Sequence, residues 1–222
     1  MGGGPGFVTI DLRERVGPEG NVTILEPSSF YLEYLQTTVQ ERGWNNVHLI
    51  RGTAETTKLP DSYFDLVFVR WVIAFVPDPE LFLKNLAASL KPGGIIALQD
   101  YYYEGISLYP HGAFNRVPEA VIRYYRSQGG DPYITGSMPS LFRKFNIQPV
   151  EYSPHCLAGG PTDAVTEWAS RFFTLHIPIM AERGIISADE RDVFLNDWYD
   201  HRRNPDMLFF SPIVVDVAGK KL

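Results

Sequence analysis

The amino-terminal residues combine a glycine-rich run with an acidic residue at a spacing that suits a nucleotide-like ligand. Residues 2–6 read GGGPG and lead directly into a predicted helix, and Glu26 follows twenty positions after Gly6, at the end of a predicted buried strand. Glycine lets a backbone turn tightly and approach a ligand closely, and a carboxylate at the tip of the next strand can accept hydrogen bonds from ribose hydroxyls. The pattern predicts a binding site made by this loop and Glu26. For the glycine run alone, the alternative interpretation is a flexible linker.

A second group of candidates follows the predicted strand that ends at Asp100. This carboxylate lies where a second substrate would sit, so it is a candidate general base, as are Tyr102 and His111 in the loop that follows. Tyr101 and Tyr103 are candidate substrate contacts, because aromatic faces attract cations. The alternatives are a carboxylate bonded to backbone amides, packed aromatic rings and a surface histidine.

An aromatic face on a long predicted helix is a third candidate. Trp168, Phe172 and His176 stand at positions i, i+4 and i+8, on one side of that helix. Together with Trp71, after an earlier strand, they could form the wall of an apolar pocket. The alternative is ordinary packing between helices.

The elements that must position these residues alternate along most of the chain. The pattern predicts strands over residues 21–26, 47–50, 64–69, 95–98, 147–152 and 208–217, and helices over residues 8–16, 30–42, 80–90, 119–127, 138–145, 163–183 and 188–202. Alternation of this kind predicts an α/β fold with a mostly parallel, doubly wound sheet and helices on both faces. We expect a single domain over 1–222, with a cofactor-binding part (2–100), a helical lid insertion that carries substrate contacts (101–205) and a closing strand (206–222).

Composition narrows the function further. The chain has 222 residues, 45% of them hydrophobic, and a net charge of −6, which argues against partners such as nucleic acid or an anionic membrane surface. There is one cysteine, and the five histidines lack metal-ligand spacing, so we expect no metal. The absence of a signal pattern or a long apolar run favours a cytoplasmic protein. A homodimer remains an option.

Five segments in register resemble the class I S-adenosylmethionine-dependent methyltransferases that act on small molecules. They are GGGPGFVTIDL (2–12), GPEGNV (17–22), GTAE with a following LP (52–60), FDLV (64–67) and LKPGG (90–94). FSP (210–212) and GKK (219–221) also resemble that family, whereas residues 101–205 match it loosely. Dehydrogenases share the glycine loop and the distal acid, but the segments at 52–55 and 91–94 have no role in their scheme.

The resemblance implies a Rossmann-like, seven-stranded sheet, S-adenosylmethionine as the cofactor, and methyl transfer to a small, apolar or aromatic molecule. By match to the family, the cofactor-binding residues would be Gly2, Gly4, Gly6, Glu26, Thr53, Ala54 and Arg70. The family often has Asp where this chain has Thr53, which would weaken a bond to the adenine amino group or leave it to the backbone.

Compared with that family, the sequence lacks the first strand, which is central in the family's sheet. Three arrangements could supply partners to the flanking strands: an upstream segment of a longer protein, a segment of another chain in a swapped dimer, or direct pairing of the two flanking strands. We favour the first. The alternative function is a non-catalytic methyltransferase-like protein that binds or dimerises.

Overall fold

The computed structural model describes residues 1–222, and its elements follow the predicted order closely. The helices are α1 (Phe7–Val16), α2 (Ser29–Glu41), α3 (Pro79–Ser89), α4 (Val117–Ser127), α5 (Met138–Lys144), α6 (Ala164–Glu182) and α7 (Ala188–Arg203). The strands are β1 (Val22–Glu26), β2 (Val47–Arg51), β3 (Phe64–Arg70), β4 (Leu90–Tyr102), β5 (Ser107–Tyr109), β6 (Ile147–His155), β7 (Ala158–Gly159), β8 (Leu208–Phe210) and β9 (Ile213–Lys221).

The strands form three sheets rather than one. β1 and β2 pair in parallel, and a second sheet has the order β3-β4-β9-β6, in which β9 runs antiparallel to both of its neighbours. A small antiparallel sheet has the order β5-β8-β7. The Rossmann-like α/β class is confirmed. The single seven-stranded sheet that the resemblance implies is wrong, because its two halves are separate in this chain.

A gap between β1 and β3 separates those halves. The two strands do not pair, so the third of the three arrangements considered, direct pairing of the flanking strands, is not found. Residues 1 and 2 bridge the gap at one end: the Met1 amine donates to the Phe68 carbonyl at 2.8 Å, and the Gly2 amide donates to the Leu25 carbonyl at 2.9 Å. Consecutive donors thus reach opposite sides of the gap. A cavity of about 520 Å³ occupies its other end.

The buried hydrophobic residues form two clusters of very different size. A cluster of 38 buried hydrophobic residues contains Val69, Leu98 and Val217, which are neighbours across β3, β4 and β9, together with residues of α3 and α5. A second cluster has only five buried members, all from β1, α2 and β2: Val22, Ile24, Leu35, Val39 and Val47. Most of the apolar burial, and therefore most of the hydrophobic stabilisation, belongs to the four-stranded sheet and its helices.

Local sequence signals explain most helix boundaries. Asp78 caps α3 by accepting a hydrogen bond from the Leu81 amide at 2.9 Å, and Pro79 occupies the first turn. Ser187 and Glu190 form a reciprocal capping box at the start of α7. No helix combines the length and the apolar composition that a membrane span requires.

Two predicted strands differ in detail from the observed ones. The single strand predicted over 208–217 is two strands, β8 and β9, which end and begin on either side of Ser211 and Pro212 and belong to different sheets. Proline lacks the N–H that a continuous ladder needs, and the Ser211 hydroxyl instead accepts from the Leu157 amide at 2.9 Å. Residues 91–94, between the predicted helix 80–90 and the predicted strand 95–98, lie inside the range of β4 as a bulge, because the pairing of β3 jumps from Leu90 to Ile95.

Candidate functional site

The glycine run lies against the ends of β1 and β3. Gly2 and Gly4 have left-handed backbones, with φ of 72° and 48°. A Cβ on Gly2 would come within 2.2 Å of Cγ2 of Val72, whereas a Cβ on Gly4 would meet no atom within 4 Å. The loop is therefore pressed against the protein at Gly2 and faces open space at Gly4, where a ligand can approach the backbone.

Glu26 is fixed beside this loop. Its side chain accepts two backbone hydrogen bonds, from the Gly4 amide to Oε2 at 3.0 Å and from the Ser28 amide to Oε1 at 2.9 Å, and the residue is only 5% exposed. A carboxylate oxygen can accept more than one hydrogen bond, so each oxygen keeps a free lone pair. The arrangement presents two oriented acceptors without any side-chain reorganisation.

A cavity of about 480 Å³, here called the glycine-loop cavity, joins the glycine loop to the gap between β1 and β3. Four of the seven residues that the resemblance assigns to the cofactor lie around it: Gly2, Gly4, Glu26 and Arg70. Tyr31 of α2 also lines it, at the opening near Glu26.

The other three assigned residues do not line this cavity. Gly6 is buried at the start of α1, where a Cβ would meet the Leu35 side chain at 2.5 Å. Ala54 is fully buried and its carbonyl accepts from Nδ2 of Asn85 at 2.8 Å, and the Thr53 hydroxyl lies 3.0 Å from the Thr56 hydroxyl.

A second cavity, of about 470 Å³, lies on the opposite side of Arg70 and Trp71 from the glycine loop, and we call it the sheet-face cavity. Its lining comes from β3, β4, β6, β9, α6 and the loops beside them: Arg70, Trp71, Gln99, His155, Leu157, Ala164, Val165, Trp168, Ser211 and Val214. Because Arg70 and Trp71 line both cavities, they form a shared wall.

Stacked aromatic rings make up most of this wall. The Trp71 ring stacks with Tyr101 at a centroid distance of 6.2 Å and with Trp168 at 5.8 Å, and the Arg70 guanidinium lies 4.2 Å from the Trp71 ring centroid. Nε of Arg70 and Nε1 of Trp71 are both buried and have no hydrogen-bond partner within the protein. The predicted substrate contacts Trp71 and Trp168 therefore meet at one cavity.

The cavity floor carries a polar cluster. Arg70, Gln99 and Asp216 are neighbours across β3, β4 and β9, so their side chains share a face of the sheet. Asp216 accepts from Nε2 of Gln99 at 2.6 Å through Oδ1 and contacts Nε2 of His155 at 2.9 Å through Oδ2. Both oxygens of this carboxylate are thus engaged.

Asp100 lies below the shared wall and lines neither cavity. It is fully buried and accepts hydrogen bonds from the amides of Val72 at 3.0 Å, Ala74 at 3.2 Å and Tyr101 at 2.9 Å. Burial raises the pKa of Asp100 from 3.8 to about 6, against the opposing effect of these amide donors. In this position the carboxylate fixes the loop that carries Trp71.

The other two candidate bases lie away from both cavities. Tyr102 is partly exposed and contacts Tyr133 edge to face at 5.2 Å. His111 is exposed and hydrogen-bonds to the Asn115 side chain.

The remaining predicted substrate contacts belong to an aromatic interior. Tyr101, Tyr103 and Phe172 surround a void of only about 10 Å³, too small for a ligand. Nδ1 of His176 donates to the Phe172 carbonyl, 2.9 Å away, and the His176 ring stacks on the Phe172 ring. Burial raises the pKa of Tyr103 well above its usual value.

Sequence reasoning missed Gln99, His155 and Asp216. Their meeting depends on the pairing of β4 with β9 and of β9 with β6, across sequence separations of 117 and 61 residues. Alternation along each strand could have placed each residue on a face, but no local pattern reports which strands are neighbours.

Comparisons with known proteins agree with the amino-terminal pattern. Residues 1–98 match the family model described as a methyltransferase domain. Over 87 residues the chain is 42% identical to the demethylmenaquinone methyltransferase of Geobacillus stearothermophilus, which covers 39% of this chain and 37% of that protein. The alignment thus spans well under half the length of this curated relative.

Two solved structures resemble the whole chain. The YcgJ protein of Bacillus subtilis aligns with a TM-score of 0.62 and 18% identity, over 99% of this chain and 89% of that one. A geranyl diphosphate methyltransferase, solved with GPP and sinefungin, aligns with a TM-score of 0.60 and 12% identity, over 100% of this chain and 70% of that one. At these identities the likeness shows the fold alone.

Proposed function

We propose, from the match of residues 1–98 to the model of a methyltransferase domain, that the chain transfers a methyl group from S-adenosylmethionine to a small, apolar or aromatic molecule. The observation that carries the proposal is Glu26, held by two backbone amides beside an open glycine loop. S-adenosylmethionine supplies an electrophilic methyl group on a sulfonium, and its ribose carries two hydroxyls that suit two oriented acceptors.

The residues present fit such a cofactor. The glycine-loop cavity offers an approachable backbone at Gly4, the Glu26 carboxylate, and Tyr31 nearby. The task of the protein in methyl transfer is mainly to align the acceptor and to exclude water, because the leaving group is neutral. Arg70 and Trp71 separate the two cavities. This supports an arrangement in which the cofactor binds in the glycine-loop cavity and the acceptor binds in the sheet-face cavity.

The acceptor side of the proposal rests on the sheet-face cavity. Its volume of about 470 Å³ suits a small molecule, and its aromatic wall favours a flat or apolar one. The curated relative is named for a quinone-type substrate, and this chemistry agrees with a compact aromatic acceptor. We assign residues 2–100 to cofactor binding and residues 101–205 to the lid around the acceptor.

The test is calorimetric titration with S-adenosylmethionine and with its demethylated product. We expect Glu26→Ala to weaken binding by roughly 1–3 kcal/mol, because it removes charged hydrogen-bond acceptors. The matched control is Glu33→Ala, an exposed glutamate on α2, which should bind like the wild type. Equal affinities for wild type and Glu26→Ala would remove Glu26 from the site and with it the main support for the proposal.

A second candidate function, binding or dimerisation without catalysis, is favoured by the gap between β1 and β3. The glycine-loop cavity runs into that gap, so one wall of the site is incomplete in this chain. Binding of S-adenosylmethionine without turnover of any aromatic acceptor would favour this alternative.

A further inference from the structure

The polar cluster on the floor of the sheet-face cavity has no role in the function proposed so far. It consists of Gln99 and His155, which line the cavity, and Asp216, which contacts both; Arg70 also lines the cavity and carries a positive charge. The elements that cover the cavity contribute apolar side chains, Ala164, Val165 and Trp168 of α6.

The hydrogen bonds of this cluster select one form of the histidine. An ionised Asp216 carboxylate can accept hydrogen bonds but cannot donate them. Nε2 of a neutral His155 must therefore carry the hydrogen of the bond to Oδ2. Nδ1 then holds the free lone pair, and no hydrogen bond within the protein involves it. Gln99 holds the other oxygen of Asp216, which fixes the carboxylate that orients the ring. An imidazole oriented by a carboxylate is suited to accept a proton.

The shared wall adds two donors that lack partners. Buried polar groups are almost always hydrogen-bonded, and leaving one unpaired is costly, so Nε of Arg70 and Nε1 of Trp71 call for an explanation. Both residues line the sheet-face cavity, and Arg70 is positively charged. A flat molecule that carries negative charge on an oxygen, placed against the aromatic wall, would be attracted by the positive charge of Arg70.

We propose that the sheet-face cavity binds a hydroxylated aromatic molecule and that His155 accepts the proton of its hydroxyl group. The O–H bond breaks, the proton passes to Nδ1 of His155, and the electron pair stays on the aryl oxygen, whose charge is balanced by Arg70. Asp216 stabilises the imidazolium that results. That this molecule is the methyl acceptor rests on the proposed function, whereas the proton transfer itself needs no cofactor.

The inference can be tested without S-adenosylmethionine by following the ionisation of bound 4-nitrophenol, whose phenolate absorbs at a longer wavelength than the phenol. At the pH where free 4-nitrophenol is half ionised, we expect 4-nitrophenol bound to the wild type to be mainly phenolate. In His155→Gln the ratio of phenolate to phenol should fall by about tenfold or more, which corresponds to one pKa unit. Asp216→Asn should give an intermediate ratio, because the base remains but its orientation is lost.

The variants suit the test because they should stay folded. The side chain of His155 is 52% exposed, and an ion pair at such a site contributes little to stability. His48→Gln, at an exposed histidine on β2, is the matched control and should behave like the wild type. Bound probe that ionises equally in wild type and His155→Gln would overturn the proposal, and so would no binding of 4-nitrophenol up to about 1 mM, the weak end of specific affinity.

This outcome is separable from that of the proposed function. Phenolate formation without binding of S-adenosylmethionine would support the base and contradict methyl transfer. Binding of S-adenosylmethionine with no ionisation of the probe would contradict the base and leave the cofactor site intact.

Discussion

The region formed by β1 and β2 and the region formed by the four-stranded sheet differ in how many hydrophobic residues they bury. The first, with α1 and α2, holds the glycine loop and Glu26 but has only five buried hydrophobic residues in its own cluster. The second carries the sheet-face cavity and shares a cluster of 38. The candidate cofactor site thus stands on the weaker region and the candidate acceptor site on the stronger one.

The links between the regions are few and specific. Met1 and Gly2 bond to β3 and β1, Asn85 of α3 donates to the Ala54 carbonyl, and Leu25 and Ala54 belong to the larger cluster. With so few links, the smaller region should open at a lower free energy than the larger one. Three predictions test that contrast.

The largest effect should come from core truncation, and its reach should differ between the regions. Phe114 is fully buried against Phe173 and Trp198, and Phe114→Ala should lower the free energy of unfolding by about 3–5 kcal/mol across the molecule. Leu35→Ala should act on the smaller region, by about 2–5 kcal/mol. Hydrogen exchange is the measurement: we expect Leu35→Ala to remove protection from residues 22–51 and to leave β4 and β9 protected. Uniform loss of protection in Leu35→Ala would mean that the regions unfold as one.

The next largest effect is a change of stability with pH that arises from Asp100 in the larger region. Because the pKa of Asp100 is raised from 3.8 to about 6 in the folded protein, the folded state holds a proton there that the unfolded state has lost between these values. The stability contributed by Asp100 is therefore present below pH 4 and is lost as the pH rises through 6, by an amount on the order of 3 kcal/mol.

Denaturant unfolding of wild type and Asp100→Asn at pH 4 to 7 measures this loss. As the pH rises, the free energy of unfolding of the wild type should fall relative to that of Asp100→Asn. Asp65→Asn, at an exposed carboxylate paired with Lys91, is the control and should show no such trend. Parallel profiles for wild type and Asp100→Asn would contradict the assignment.

The smallest effects are expected from substitutions at two helix caps. Ser187 accepts from the Glu190 amide at 3.1 Å within a capping box, and Ser187→Ala should lower the thermal midpoint by an amount equivalent to about 1 kcal/mol. Ser28 caps α2 of the smaller region through a longer bond, 3.4 Å to the Tyr31 amide, so Ser28→Ala should have the smaller effect. A larger effect at Ser28 would reverse the ranking.

Much of the fold was predictable because its signals are local. The predicted bounds of α2 and β1 lie within one residue of the observed ones, since Ser28, Gly43 and the apolar run that ends at Glu26 are readable in sequence. The contact between Glu26 and the glycine loop also follows from spacing. The division of the sheet, the break at Ser211 and the cluster around Asp216 depend on which distant strands pair, and this information is not local.

Arg70 and Trp71 lie between the two cavities, so a ligand in one cavity and a ligand in the other would contact the same two side chains. A ligand that fixes the wall in one position changes the free energy with which a second ligand binds across it. Thermodynamic linkage makes that influence reciprocal: the factor by which the first molecule alters the affinity of the second equals the factor by which the second alters the first. If a ligand in one cavity repositions Arg70 or Trp71, the two sites are coupled through these residues, which directly precede the loop whose Val72 amide is bonded to the buried Asp100 carboxylate.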